Sequence, residues 1–247
     1  MARLRDAAFG VFRGDRGDRR LAAPHHGGGV RRRAGFALSQ VFVEGAGPAV
    51  SGEAELPPYV GIGLDRIVFV DTEALAVKAG TALLAADAVG FDTESKPTFL
   101  KGEVLTGPHL VQLATDERAY LFPVSAAHHS PVLKMILESP TVLKAGMGLG
   151  NDRSALKSRL DIELRHVIDL GDVLRGRQGI GHRGTVGAKV AVAHFFGQRL
   201  QKSKKTGTSN WASRRLNERQ LLYAANDAHV ALRIYRAWMA RRRPDTA

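Results

Sequence analysis

The residues Asp-Thr-Glu occur twice in the chain, at positions 71–73 and 92–94, and both copies follow a short apolar run. Two carboxylates at positions i and i+2 of a strand point to the same face, where their negative charges repel each other. A divalent cation such as Mg²⁺ or Mn²⁺ relieves this repulsion, because both ions favour oxygen ligands. Either copy could therefore contribute to a metal site, and the surrounding sequence has to distinguish them.

The first copy has a structural explanation. A strong helical pattern begins directly after it, so Asp71 or Thr72 can cap that helix by accepting a backbone N–H. Glu73 then lies in the first turn, where a negative charge interacts favourably with the helix dipole. We therefore expect the first copy to start a helix and to have no chemical role.

The second copy ends an apolar strand, and no helix start follows it. Pro97 favours extended backbone at Lys96, so Asp92 and Glu94 should project together from the end of a strand. A metal site and a pair of solvated carboxylates at a loop mouth both fit this stretch. The local sequence alone leaves the two interpretations open.

Two later stretches add further acids. Asp152, in "GNDRSAL", lies in the first turn of a predicted helix that follows a strand. Tyr223 and Asp227 lie four positions apart on a later predicted helix, so their side chains share one face. Asp227 interrupts an otherwise apolar and alanine-rich helix, and a charge in such a position usually has a partner.

Taken together, "FDTE", "GNDRSAL" and "YAANDA" resemble, in this order and at these intervals, the three motifs of the DEDD superfamily of 3′–5′ exonucleases. The tyrosine before the last aspartate matches the subclass that uses Tyr in this position. None of the acidic or tyrosine positions departs from the pattern of the family.

Two longer stretches narrow the resemblance. "VGFDTESKPTF" and "KSKKTGTSNWASRRLNERQLLYAANDA" are similar to the Werner-syndrome-type exonuclease domain and to the catalytic domain of ribonuclease D. The resemblance covers about residues 65 to 236. It implies a ribonuclease-H-like α/β fold, with a mixed central sheet flanked by helices. It also implies hydrolysis of terminal phosphodiesters with release of nucleoside 5′-monophosphates.

The resemblance implies a role for each motif residue. Asp92, Glu94, Asp152 and Asp227 would hold two divalent cations, Mg²⁺ or Mn²⁺, and would form the catalytic set together with Tyr223. Two cations roughly 3.5–4 Å apart can stabilise both the attacking and the leaving oxygen of an in-line displacement. We expect Tyr223 to orient the attacking water, because an unperturbed pKa of about 10 makes a phenol a poor base at neutral pH.

Substrate phosphates also require cations around them. The basic stretch "QKSKKTG" makes Lys204 and Lys205 candidate substrate contacts, although a solvated loop would look the same. Trp211 could stack on a terminal base or could anchor the adjacent helix to the core. Gln112, on a predicted hairpin strand, is the last candidate for contact with the substrate.

Composition bounds the class of protein. The chain has 247 residues and a net charge of +12, which favours polyanions, with nucleic acid ahead of an anionic membrane. The absence of cysteine excludes disulfides and thiolate metal sites.

No apolar run reaches the roughly 18 residues of a membrane span, and no signal core begins the chain. We expect a cytoplasmic protein, in keeping with association with a nucleoid. Its expected partner is nucleic acid with a single-stranded or recessed 3′ end, and not a membrane.

The chain divides into two predicted parts. Residues 1–58 mix Arg, Gly and Asp without an apolar period, and we expect a disordered basic extension. It could be a nucleic-acid-binding arm, a targeting segment or a segment without a role. Residues 59–247 form the predicted exonuclease domain, in which strands and helices alternate around one hairpin, "HLVQLATDERAYLFPV". We expect a loop at "QKSKKTGTSN" and a long final helix or helix pair after it.

Three alternative functions remain. A ribonuclease-D-like exoribonuclease would process RNA 3′ ends instead of serving DNA repair. The choice depends on contacts to the 2′-OH, and the "KSKK" and "SNW" residues favour DNA slightly.

A nucleic-acid-binding scaffold without activity would keep the fold, but all five motif residues are present. A dinucleotide-binding fingerprint is suggested by "KAGMGLGND". However, Asn151 replaces its third glycine, and Asp152 would place a negative charge where pyrophosphate binds.

Overall fold

The computed structural model describes residues 56–99, 101–104, 106–126, 130–176, 180 and 184–242. Most of the predicted extension, residues 1–55, lies outside these ranges. Where the described chain begins, Arg199 N donates to Pro57 O at 2.8 Å and Tyr59 N donates to Arg199 O at 3.0 Å. The hydrogen bonds of the domain therefore reach back to Pro57.

A six-stranded sheet forms the centre, with the strand order β1-β4-β3-β2-β5-β6. The strands are β1 (Ile67–Phe69), β2 (Ala88–Glu94), β3 (Leu110–Ala114), β4 (Ala119–Pro123), β5 (Leu143–Gly146) and β6 (Val167–Asp169). β3 is antiparallel to both β2 and β4, and the other neighbouring pairs are parallel. The predicted mixed sheet and its embedded hairpin are confirmed.

Seven α-helices are described: α1 (Glu73–Leu84), α2 (Ser130–Leu137), α3 (Gly150–Leu160), α4 (Leu170–Val173), α5 (Ala188–Phe196), α6 (Lys204–Gly207) and α7 (Glu218–Arg242). α6 lies in the stretch that the sequence predicts to be a loop, because the Ser203 side chain accepts from Thr206 N at 3.2 Å and caps one turn. Within the described ranges, no helix combines the length and apolar character that crossing a membrane requires.

The predicted final helix is a single helix of 25 residues, α7. It begins with a reciprocal cap: Gln220 N donates to Asn217 Oδ1, and Asn217 N donates to Gln220 Oε1, both at 3.1 Å. This capping box satisfies two backbone donors that the first turn would leave free. It therefore fixes where α7 starts, and with it the positions of all later residues on the helix.

The side chains of each central strand alternate between two helical layers. Val89 and Phe91 of β2 pack in one core with α1, α2 and α3. On the opposite face, α7 packs against the sheet together with α4 and α5. A Cβ added at Gly90 would lie only 1.9 Å from Ala228 O, so α7 crosses β2 at backbone contact. Asp92 and Glu94 share the face of Gly90 and therefore point towards α7.

Replacement of Gly90 by alanine should separate α7 from β2. We expect Gly90→Ala to lower the free energy of unfolding by roughly 1–3 kcal/mol, as overpacking of a core does. Gly150→Ala is the matched control, since no atom lies within 4 Å of its added Cβ. Chemical denaturation of both variants would measure the difference, and equal stability would contradict the close approach.

Candidate active site

The four acids of the sequence motifs come together at the carboxyl edge of the sheet. Asp92 and Glu94 are half-buried at the end of β2, where the strand emerges from the core. α3 follows β5, which is parallel to β2, so Asp152 in its first turn lies at the same edge. Asp227 reaches the edge from α7 and is 8% exposed.

The pKa values show how closely these carboxylates interact. Burial, followed by the charges of Asp227 and Asp152, raises the pKa of Asp92 well above its ordinary value. Burial and then the charge of Asp92 raise the pKa of Glu94 to about 9. Burial also raises the pKa of Asp152. Glu94 is therefore protonated at neutral pH in the absence of a cation, and the cluster carries less negative charge than four free carboxylates would.

Lys202 provides positive charge inside this cluster. Its Nζ lies 2.9 Å from Asp227 Oδ1 and 5.6 Å from the centre of the Tyr223 ring. The sequence indicates only that Lys202 belongs to a basic run. No spacing rule connects it to Asp227, because a loop and a helix that are distant in sequence bring the two together.

Thr93 is a second functional candidate that motif reasoning passed over. Its side chain points away from Asp92 and towards the layer of α3, where Thr93 Oγ1 donates to Asp152 Oδ1. Its backbone N donates to Asp92 Oδ1 at 2.9 Å. Thr93 thus orients two of the four acids at once. The alternation of side chains along a strand could have indicated this contact, since the residue between Asp92 and Glu94 must face the opposite helical layer.

Tyr223 lies one turn before Asp227 and is half-buried against α6. A Cβ on Gly207 would lie 2.7 Å from Tyr223 Oη, so the hydroxyl packs directly on that glycine. Burial and then the charge of Asp227 raise the pKa of Tyr223 to about 12. The phenol is therefore protonated at neutral pH and can donate a hydrogen bond.

The predicted substrate contacts lie in different environments. Lys204 and Lys205 are exposed on α6. Trp211 is 2% exposed, and its Nε1 donates to Gly207 O at 3.1 Å, so it anchors the α6 turn instead of offering a face to a base. Gln112 lies opposite Asp92 in the register of β2 and β3 but is completely buried under α7, which leaves it no surface for a substrate.

The first Asp-Thr-Glu copy starts a helix, as predicted. Thr72 is the N-cap of α1, and its Oγ1 accepts from Leu75 N at 3.3 Å. Glu73 is exposed in the first turn. This copy follows β1, which lies three strands away from β2 in the sheet.

The glycine-rich turn before α3 is occupied by a side chain of the protein itself. The carboxylate of Asp169 accepts from Gly148 N at 2.9 Å and from Leu149 N at 2.7 Å. These are the backbone donors that would have to bind the pyrophosphate of a dinucleotide. Asp169 therefore takes the place that the alternative fingerprint assigns to a ligand.

The acids suit a divalent cation by their chemistry, although two of them are engaged by neighbouring side chains. In the described part of the chain, no three His, Cys, Asp or Glu side chains form a finished metal site. Asp227 is paired with Lys202, and Asp152 accepts from Thr93. Carboxylate oxygens that raise one another's pKa are the donors that Mg²⁺ and Mn²⁺ favour. A cation that binds these acids would replace the ion pair of Asp227 with Lys202 and the hydrogen bond that Asp152 accepts from Thr93.

Comparison with known proteins identifies the family. A family model described as 3′–5′ exonuclease matches residues 67–240. The chain is 34% identical over 167 residues to the mouse bifunctional 3′–5′ exonuclease/ATP-dependent helicase WRN. This match covers 67% of the chain but only 12% of the mouse protein, so the chain spans about an eighth of that relative.

Solved structures show the same fold. The Nibbler EXO domain of Aedes aegypti superposes with a TM-score of 0.61 at 23% identity, covering 76% of this chain and 95% of that domain. Escherichia coli RNase D, described as an exoribonuclease involved in structured RNA processing, gives a TM-score of 0.60 at 24% identity, with coverage of 70% and 44%. At these identities the likeness establishes the fold alone.

The crowding of the acids should make stability depend on pH in the absence of metal. The pKa of Glu94 is about 9 in the folded chain against an ordinary value of 4.5. The unfolded chain therefore ionises Glu94 first, and the free energy of unfolding falls as the pH rises between these two values. We expect Glu94→Gln to flatten this slope in EDTA, measured by denaturant unfolding at several pH values. Glu73→Gln is the exposed control, and an equal slope in wild type and Glu94→Gln would show that the pKa of Glu94 is not raised in the folded chain.

Proposed function

The chain belongs to the 3′–5′ exonuclease family, and on this premise we propose that it hydrolyses the 3′-terminal phosphodiester of nucleic acid and releases nucleoside 5′-monophosphates. One observation carries the proposal: the convergence of four acids from one strand and two helices at a single edge of the sheet. These acids are Asp92, Glu94, Asp152 and Asp227.

We assign the four acids to the binding of two divalent cations, Mg²⁺ or Mn²⁺. When bound, such cations stabilise the negative charge on the attacking and leaving oxygens of an in-line displacement. Asp92 and Glu94 project from a central strand and fix the position of the site. Asp152 and Asp227 complete it by turning away from Thr93 and Lys202.

Tyr223 acts as a hydrogen-bond donor in this proposal. Its pKa of about 12 leaves the phenol protonated at neutral pH, so Oη has a proton to donate. The hydroxyl can therefore hold the attacking water or a phosphate oxygen in line with the scissile bond. Proton acceptance by Tyr223 would require a phenolate, which the charge of Asp227 disfavours.

Lys202 has two roles in the same reaction. In the absence of cation, its ammonium group compensates the charge of Asp227. Once a cation binds Asp227, the ammonium group is free to contact a phosphate of the substrate. This exchange keeps the cluster partly compensated in both states.

The substrate is a single-stranded or recessed 3′ end. The basic residues before Trp211, which resemble the Werner-type domain, favour DNA. The likeness to a structure described as an exoribonuclease involved in structured RNA processing makes RNA the second candidate. DNA and RNA present the same phosphodiester to the acids, so the acids themselves do not select between the two nucleic acids.

The central prediction is that Asp92→Asn and Asp227→Asn abolish nucleotide release while the chain remains folded. We expect activity to fall by on the order of 10³-fold or more, as for residues that act as a unit. The assay uses matched DNA and RNA oligonucleotides, with free or blocked 3′ ends, in Mg²⁺, Mn²⁺ or EDTA. Glu73→Gln, in the first Asp-Thr-Glu copy, is the matched control and should retain full activity. Near-normal release by either Asn variant would refute the assignment.

Tyr223→Phe tests the role of the hydroxyl separately. Without the donor, we expect turnover to fall by about 10²-fold, the lower end of what a positioned proton donor contributes. Affinity for Mn²⁺, measured by calorimetry, should stay unchanged, because the phenol is not among the proposed ligands. A loss of metal binding in this variant would show that Tyr223 has a different role.

A further inference from the structure

Two basic cavities adjoin the acids on the side of α5 and α7. Residues 200–203 line both cavities and form the ridge between them. The nearer cavity, of about 520 Å³, reaches Tyr223 and Asp227, and the farther one, of about 600 Å³, extends to Lys189 and Arg199. A third cavity, which we call the distal cavity, has a volume of about 380 Å³ and is lined neither by this ridge nor by any of the four acids.

The distal cavity lies at the edge of the sheet opposite the acids. Asp116, in the connection between β3 and β4, forms one wall, and Arg66, directly before β1, forms another. β1 and β4 are parallel, so the starts of both strands meet at this edge. At the other end of β3, Leu110 is paired with Glu94. Leu110 and Ala114 are four residues apart, which is about 14 Å at about 3.4 Å per residue.

The charges of the distal cavity do not balance. Its charged lining residues are one acid, Asp116, and two arginines, Arg66 and Arg233. The carboxylate of Asp116 is already engaged, because its Oδ2 accepts from Arg236 Nη2 at 3.1 Å. In the described ranges, neither Arg66 nor Arg233 forms an ion pair with an acid. The walls therefore offer two guanidinium groups to an anion.

His229 gives an independent indication of a ligand. This histidine of α7 lines the distal cavity and is only 4% exposed. Its Nε2 makes one long contact, at 3.4 Å from Asp116 O. Its Nδ1 is buried and has no hydrogen-bond partner among the described residues. A buried polar atom without a partner is costly, and a hydroxyl group of a ligand would satisfy it, since a hydroxyl both donates and accepts.

The orientation of Arg233 leaves donors for an anion. Its guanidinium group lies 5.0 Å from the centre of the Phe196 ring and 5.6 Å from that of Tyr59. A guanidinium group that packs on aromatic faces keeps its N–H donors at its edge, where they match the oxygens of a phosphate. The side-chain amide of Gln198, in the same walls, can add a further donor.

The remaining walls indicate the size and the type of the ligand. Among the described residues, no Phe, Tyr or Trp lines the distal cavity, so it has no face on which a base could stack. Its volume lies near the lower end of the range of about 300–1,000 Å³ that is usual for small-molecule sites. These walls therefore suit a phosphate group with a hydroxyl group close to it, as in a sugar phosphate.

We propose that the distal cavity binds a small phosphate ester that carries a hydroxyl group, such as a pentose 5-phosphate or the sugar phosphate of a nucleoside 5′-monophosphate. Arg66 and Arg233 bind the phosphate, and a hydroxyl group of the sugar donates to His229 Nδ1. This site does not depend on the proposed nuclease function, because none of the four acids lines the cavity.

Calorimetric titration of the full chain in EDTA tests the ligand. EDTA removes any cation through which a phosphate could bind at the acids. We expect ribose 5-phosphate and adenosine 5′-monophosphate to bind with similar affinity. Methyl phosphate, which lacks the hydroxyl group, should bind roughly tenfold more weakly, as expected for one lost hydrogen bond. Absence of binding by ribose 5-phosphate would overturn the proposal, and so would binding of methyl phosphate with equal affinity.

Substitutions locate the site. Arg66 is exposed, so Arg66→Gln should leave the fold intact and weaken binding of ribose 5-phosphate by about tenfold or more, as for one charged contact. Arg66→Gln/Arg233→Gln should weaken it by about a hundredfold or more. Thermal unfolding verifies that each variant is folded.

Lys204→Gln/Lys205→Gln is the matched control, because it removes the same two charges from exposed positions of α6. Its affinity for ribose 5-phosphate should equal that of the wild type. An equal loss in this control and in Arg66→Gln/Arg233→Gln would overturn the proposal. Wild-type affinity in the folded Arg66→Gln/Arg233→Gln variant would overturn it as well. A chain that binds ribose 5-phosphate but releases no nucleotide would contradict the nuclease proposal and leave the distal site standing.

Discussion

Repulsion among the carboxylates at the end of β2 is the constraint on which the rest of the site depends. Two like charges about 4 Å apart repel by about 4 kcal/mol at an effective dielectric constant of about 20, and this edge brings four together in a partly buried position. Burial, followed by the charge of Asp92, raises the pKa of Glu94 to about 9. The fold tolerates this repulsion because apolar contacts elsewhere stabilise the central strand and the packing of α3 and α7 against it. In the proposed nuclease, a bound cation would relieve this repulsion.

The division between rigid and adaptable elements follows from the same constraint. Asp92 and Glu94 lie on a central strand, and Asp227 lies on a capped helix in backbone contact with it. By contrast, Asp227 and Asp152 are each held by one neighbouring side chain: Lys202 pairs with Asp227, and Thr93 donates to Asp152. Each is a single side-chain contact that rotation can break. Trp211 connects the α6 turn to this framework through Gly207, which also supports Tyr223. The backbone therefore fixes where the four acids converge, and the side chains of Lys202 and Thr93 hold two of them in their present positions.

Local sequence rules predicted the features that depend on local chemistry. The cap at Thr72, the hairpin of β3 and β4, and the strand-end position of Asp92 each follow from neighbouring residues. The pairing of Lys202 with Asp227 and the filling of the α3 turn by Asp169 do not, because both join segments distant in sequence. The burial of Gln112 has the same origin: the strand pattern places it beside Asp92, but only the packing of α7 shows that it is covered. Motif spacing thus predicted which acids lie at one edge of the sheet and missed the neighbours that pair with them.

A cluster of acids that attracts cations also repels the phosphates of its substrate, and this conflict explains the charge distribution of the domain. A net charge of +12 spread evenly over the whole chain would contribute little near the acids, since charges farther away than about 10 Å are screened at ordinary salt concentrations. The cations that line the two cavities lie beside the acids instead, on the side where α7 and the ridge at residues 200–203 leave open space. Lys202 stands at the boundary and belongs to both regions, because it lines the cavities and pairs with Asp227. The site and the nearer cavity are in this sense one electrostatic unit, in which Asp227 lies among the cations of the cavity walls.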